Sequence, residues 1–200
     1  MEIQYLTYED IKTRAGKVLS ESSYKNKFPV AIEQIVENEF GIEVIPIRGL
    51  EKAFQIPAYI SRDLKTITVD EGVMEGVLSR YRFSLAHELG HCVMHRYLLQ
   101  DLGFDNTASW KTCIANIPEK TYGIMEYQAN TFANTLLVPQ HELDSRFLLA
   151  VKKIREHGMD MKKNADACMD SIAFELGKQM EVSQQTMFIR LSNENFQSRL

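Results

Sequence analysis

The period of apolar and polar positions changes several times along the 200-residue chain, and each change marks an element. Thr7-Tyr-Glu-Asp10 has the form of a capping box, with aspartate in place of the usual Glu or Gln, and opens an amphipathic helix to about Ser20. A second helix is predicted from Pro29 to Glu39, with Gly41 as its stop. The pattern then shortens. Ile42–Ile47, Ile56–Ser61 and Lys65–Asp70 are rich in β-branched residues and are separated by turns at Arg48-Gly49 and Arg62-Asp63, as three strands of a small sheet would be. Thr66 and Thr68 alternate with Ile67 and Val69, which suits a half-exposed strand at a sheet edge.

From about Glu75 a helical pattern runs to about Leu98, whereas Asp101–Lys120 has no clear period and is read as an irregular loop or cover. Another helix spans Tyr122–Leu137 and ends near Val138, because the residue before Pro139 is disfavoured in the α region. Pro139 starts a further helix to about His157. The tail reads as helices Ala165–Met180 and Ser183–Ser192, with Ser183 as N-cap, a shape shared by helix-turn-helix units and by ordinary packed helix pairs. Short strands followed by many helices make an α+β protein. The predicted division is a domain over 1–160 and a helical tail over 161–200, packed on the same domain.

Composition narrows the class. Hydrophobic residues at 44% and charged residues at 25% are ordinary for a globular chain. Three cysteines, Cys92, Cys113 and Cys168, form no CxxC pair, which argues against a disulfide framework or a cysteine zinc cluster. The N-terminus lacks a basic region followed by an apolar run, and no 18-residue apolar stretch occurs, so a cytoplasmic protein is expected. A net charge of −4 gives no general attraction to nucleic acid or anionic membrane. The basic residues of Lys152–Lys163 read as a solvated helix end and loop.

The chemistry sits in His87-Glu88-Leu89-Gly90-His91. Residues four apart on a helix share a face, so His87 and His91 can direct imidazole nitrogens at one ion. Glu88 is rotated by about 100°, placed to take a proton from water on the metal without being a ligand. Such a pattern arises by chance in only about one chain in a hundred of this composition. Its apolar neighbours Phe83, Leu85, Ala86, Leu89, Val93 and Met94 mark a buried helix, where paired imidazoles need partners.

A catalytic zinc takes three protein ligands and leaves a position open. His95 continues the His87–His91 face, but three turns span about 12 Å, too far for one ion; it is read as a partner to the ligands or simply packed. His141 and His157 lack supporting patterns. Glu126 is the better candidate: Glu126, Ala129, Asn130 and Ala133 share one face, and the alanines let that helix lie close to the motif helix.

Arg82-Phe-Ser-Leu-Ala-His-Glu-Leu-Gly-His91, together with Glu126-x-x-Ala-Asn-x-Phe-Ala-x-x-Leu-Leu-x-Pro139, resembles the ImmA/IrrE family of metallo-endopeptidases, with a likeness extending over about residues 25 to 196. The resemblance implies a minimal zincin-like domain, a small sheet packed on the motif helix, a zinc ion (or manganese) on His87, His91 and Glu126, and Glu88 as catalytic base or acid. It also implies an intracellular protease that cuts a helix-turn-helix repressor to release gene expression in mobile elements or stress responses; with no N-terminal helix-turn-helix evident in this chain, that repressor is expected to be separately encoded. The tail departs from it at Ser192-Asn193-Glu194.

The resulting expectation is metal-dependent hydrolysis of a peptide bond in a regulatory protein, with Glu88 activating the metal's water. Tyr81, Arg82 and Tyr122 are candidate oxyanion donors. Two rivals stand beside it. One is a non-catalytic metal-binding regulator that holds a repressor. The other is a DNA-binding protein using residues 165–192, where Lys178 and Arg190 are the chief basic groups.

Overall fold

The computed structural model describes residues 3–158, 161 and 163–200. It is α+β, with a three-stranded sheet packed on the motif helix. Helix α1 covers Tyr8–Glu21, and its capping box forms as predicted: Thr7 accepts from the Asp10 amide while the Asp10 carboxylate accepts from the Thr7 amide at 3.0 Å. A short helix α2 (Ile32–Gln34) continues as a π turn over Ile35–Glu39, three residues later than Pro29, and stops before Gly41 at φ +63°.

The strands are β1 (Glu43–Ile47), β2 (Ala58–Ile60) and β3 (Thr66–Asp70), in the order β1-β3-β2, with β1 parallel and β2 antiparallel to β3. The Lys65–Asp70 strand is therefore central and cannot offer an edge. Both of its faces are covered despite the threonine alternation: Thr68 is buried, beside Ile67 and Val69, which are fully so. The edge nearest the motif helix belongs to β2. Bonds to β3 run through Pro57 O and the Ser61 amide, so Ala58 and Ile60 turn their backbone groups the other way.

Between β1 and β2 lies a short helix α3 (Leu50–Phe54), which local periodicity does not announce. Its start is held from a distance, since Asp70 Oδ2 accepts from the Glu51 amide at 2.9 Å and Oδ1 accepts from Gly72 at 2.8 Å in α4 (Glu71–Met74). These backbone donors hold the Asp70 carboxyl below its ordinary value. Asp70→Ala should therefore cost about 1 kcal/mol in denaturant unfolding. Because the folded value lies below the roughly 3.9 of a free aspartate, this stabilisation is complete above about pH 4 and is lost as pH falls further. Asp70→Asn, which has no carboxyl proton to gain, should lack that acid dependence.

The motif helix α5 runs Leu78–Met94, and α6 (Arg96–Asp101) follows after a break at His95, where φ is −117° and ψ 16°. A single helix from Glu75 to Leu98 is thus replaced by two shorter pieces. Residues 101–120 are likewise more ordered than expected. Asn106 and Ser109 form a capping box for α7 (Thr107–Ala115), and none of its residues is fully buried, which is why no apolar period marks it. The cover role survives, since Trp110 lies against Tyr59 at 5.3 Å between ring centres.

Helix α8 (Glu119–Leu137) packs along α5, and α9 (Gln140–Glu156) follows Pro139. Tail helices α10 (Ala165–Met180) and α11 (Gln184–Asn193) pack on α9 and α8, with Ser183 capping α11 through the Thr186 amide. The tail shares the core of the rest: Phe147 of α9 and Phe196 meet edge to face at 4.6 Å. The 160/161 boundary and Lys162 of the basic stretch lie at or outside the described residues. Among these residues no helix is long and apolar enough to cross a membrane.

Candidate metal centre

The centre is built where α5 and α8 come closest. Leu85, Ala86 and Leu89 of α5 are fully buried, as are Ala129, Phe132 and Ala133 of α8. Gly90 makes the approach possible: a Cβ there would stand 3.2 Å from Phe132 Cδ1 and 3.3 Å from the Ala129 backbone. Glu126 lies one turn before Ala129 on α8, so this contact carries its carboxylate to the two imidazoles.

Three donors converge. His87 Nε2 and His91 Nε2 are 3.0 Å apart, and Glu126 places Oε1 3.3 Å from His91 Nε2 and Oε2 3.5 Å from His87 Nε2. Ligand bonds of about 2.0–2.1 Å in a tetrahedral arrangement put donor atoms about 3.3–3.4 Å apart, so the set fits the coordination sphere of zinc. Among the described residues it is the group of histidine, cysteine and acidic side chains that could hold a metal ion. Burial, reinforced by the neighbouring His91, holds His87 down to about 4, and burial alone holds His91 down to about 4. Both rings are therefore neutral at pH 7, the form in which imidazole ligates.

Each ring is oriented by its other nitrogen. His87 Nδ1 lies 3.0 Å from Asn130 Oδ1 on α8, and His91 Nδ1 lies 2.9 Å from His95 Nδ1. His95 stays out of the three-donor group and instead places Nε2 2.9 Å from Gln128 Oε1. His141 and His157 are elsewhere: the first is exposed near Glu142, and the second bonds the Lys153 carbonyl.

Glu88 also stays outside the donor group. Its Oε2 accepts from the Ile60 amide at 2.9 Å, a bond that uses the free edge of β2 and anchors the carboxylate beside the histidines. Burial, reinforced by the nearby Glu126 carboxylate, pushes Glu88 up to about 8. A bound divalent cation would oppose that shift, because it stabilises the ionised form.

A cleft of about 290 Å³ opens over these groups and contains His87, Glu88, His91 and Glu126 in its lining. Pro57 and Ala58 of the β2 edge form one side, and Trp110 and Ile114 of α7 form part of the cover. Of the three oxyanion candidates only Tyr122 lines the cleft, with burial and Glu126 pushing its phenol up to about 12. Tyr81 instead donates to Glu33 at 2.6 Å, and Arg82 donates to the Val30 carbonyl and reaches Glu181 at 3.3 Å.

Periodicity alone did not assign Gln128 or Asn130 a partner. Gln128 carried a signal nonetheless: a long polar side chain on the buried side of an apolar helix needs one. No curated protein matches the chain closely. A family model does, the one described as the IrrE N-terminal-like domain of a peptidase family, over residues 37–192. That span includes the sheet, both helices of the candidate centre and most of the tail, and the chain therefore belongs to this metallopeptidase-type family.

Proposed function

We propose that this protein is a metal-dependent endopeptidase that cuts a peptide bond in an intracellular regulatory protein, a separately encoded helix-turn-helix repressor being the substrate. The observation that carries this reading is the three-donor group with Glu88 beside it in one cleft but outside the group. His87, His91 and Glu126 would hold zinc, the better match to two imidazoles and a carboxylate, with manganese as the alternative. When bound, the cation supplies Lewis-acid polarisation of the scissile carbonyl and acidifies water.

Glu88 takes one proton as water adds to the carbonyl carbon and delivers it to the amine nitrogen as the C–N bond breaks. The Ile60 amide keeps its carboxylate aimed during both transfers. The free backbone groups of Ala58 suit an extended substrate segment, which would pair along the β2 edge and cross the cleft. Tyr122, which lines the same cleft, would donate to the carbonyl oxygen as charge develops there. Tyr122→Phe should lower kcat by about 10²-fold while leaving KM and zinc content nearly unchanged, measured with whichever substrate the protein cleaves.

The DNA-binding rival loses its main residue. Arg190 is 1% exposed and its guanidinium is spent internally, on the Val138 carbonyl, Tyr8, Gln140 and Glu194. The test of the proposal is incubation of the zinc- or manganese-loaded protein with candidate repressor partners, with fragments read by mass spectrometry. Cleavage by the wild type and not by Glu88→Gln is the expected result. If both leave every partner intact yet bind it equally, the chain is a binding regulator and the peptidase reading fails.

A further inference from the structure

A line of polar contacts, buried up to its last link at the exposed Gln4, runs from the centre to the N-terminal segment. Gln128 is 1% exposed and donates through Nε2 to the Gln4 carbonyl at 2.8 Å, while its Oε1 faces His95 Nε2 at 2.9 Å. The orientation of this amide follows from chemistry. A backbone carbonyl can only accept, so the NH₂ group must face Gln4 and the oxygen must face His95.

The consequence passes along two rings. An amide oxygen can only accept, so His95 carries its proton on Nε2; as a neutral imidazole it then presents a bare Nδ1. His91 Nδ1, 2.9 Å away, must be the donor of that contact. His91 is thereby left with its lone pair on Nε2, the nitrogen that lies 3.0 Å from His87 Nε2 and 3.3 Å from Glu126 Oε1. The other histidine has no comparable chain, since its partner Asn130 is exposed.

We propose that Gln128, fixed by the Gln4 carbonyl, is a positioning residue that sets the tautomer of His95 and through it that of His91, making the N-terminal segment a working part of the metal centre. This rests on the reading of His91 as a metal ligand. The segment lies outside the 37–192 span that the family model covers. Anything that draws the segment away would free the Gln128 amide to turn and leave His91 to share its proton between both nitrogens.

The test uses full-length protein labelled with nitrogen-15 at histidine. In the metal-free wild type, long-range proton–nitrogen spectra should show His91 protonated at Nδ1 and His95 at Nε2. In Gln128→Leu, His91 should become a mixture of tautomers, and zinc affinity by chelator competition should fall about 10–100-fold. Gln128→Glu keeps the shape of the side chain but, as a carboxylate, has no N–H to give the Gln4 carbonyl, so it should also lose the wild-type tautomer and affinity, which a merely packing role would not require. Gln128→Met serves in the same way should the leucine variant fail to fold by thermal melting. Folded Leu or Met variants with the wild-type tautomer and affinity would overturn the proposal. If the wild type binds no zinc, the ligand assignment fails separately, and the metal-free tautomers still decide whether the relay exists.

Discussion

Glu88→Gln should keep the metal and lose cleavage. The substituted amide still offers an oxygen to the Ile60 amide, which now bonds the carboxylate at 2.9 Å, so the position of the side chain and the shape of the cleft are preserved. What disappears is the capacity to take and return a proton, and general acid–base catalysis of this kind contributes about 10²–10⁴-fold. A fall of that size in kcat/KM, with zinc content at the wild-type level, is the expected outcome.

The metal-free proteins give a second readout of the same substitution. Glu88 is pushed up to about 8 by burial and by Glu126, against roughly 4.3 for a free glutamate. A carboxyl with a raised folded value binds more protons folded than unfolded between these limits, so its contribution to stability declines as pH rises from about 4.3 to about 8. The stability difference between wild type and Glu88→Gln, followed by denaturant unfolding across that range, should move in favour of the variant as pH rises. His87 and His91 titrate in both proteins and cancel from the comparison. A pH-independent difference would mean that Glu88 is not held in the buried site described.

Glu126→Ala should abolish tight metal binding. Its carboxylate contributes one oxygen near each histidine, at 3.3 and 3.5 Å, and without it two imidazoles 3.0 Å apart remain as protein donors. Losing a ligand outright should exceed the 10–100-fold loss typical of removing a ligand's hydrogen-bond partner. Glu126→Asp withdraws the carboxylate by one methylene and should fall between alanine and wild type in chelator competition. Unchanged affinity in the alanine variant would remove Glu126 from the centre. Since Glu126 is also the second cause of the raised Glu88 value, its loss should bring Glu88 back toward its ordinary range.

What was legible in the sequence was what local periodicity encodes. The capping box at Thr7, the strands before the motif helix, the stop at Val138 and the two tail helices all depend on residues within a few positions of one another. The spacing of His87, His91 and Glu126 was legible for the same reason, because small residues at Ala129 and Ala133 announce a close helix contact and the three side chains do meet in space. The features that escaped depend on partners far along the chain. Helix α3 is capped by Asp70, 19 residues away from Glu51. The central place of β3 follows from a parallel pairing with β1 that its own alternation conceals. Helix α7 buries no side chain fully and so leaves no period to read. Gln128 and the Gln4 carbonyl are 124 residues apart, beyond the reach of any helical repeat.

The most direct measurement is anomalous scattering at the zinc edge from crystals of the zinc-loaded protein. A single peak within bonding distance of His87 Nε2, His91 Nε2 and the Glu126 carboxylate, absent in the His87→Ala protein, is the predicted result. A peak at other residues, or none from protein soaked with excess zinc, would contradict the assignment of these three side chains as a metal centre.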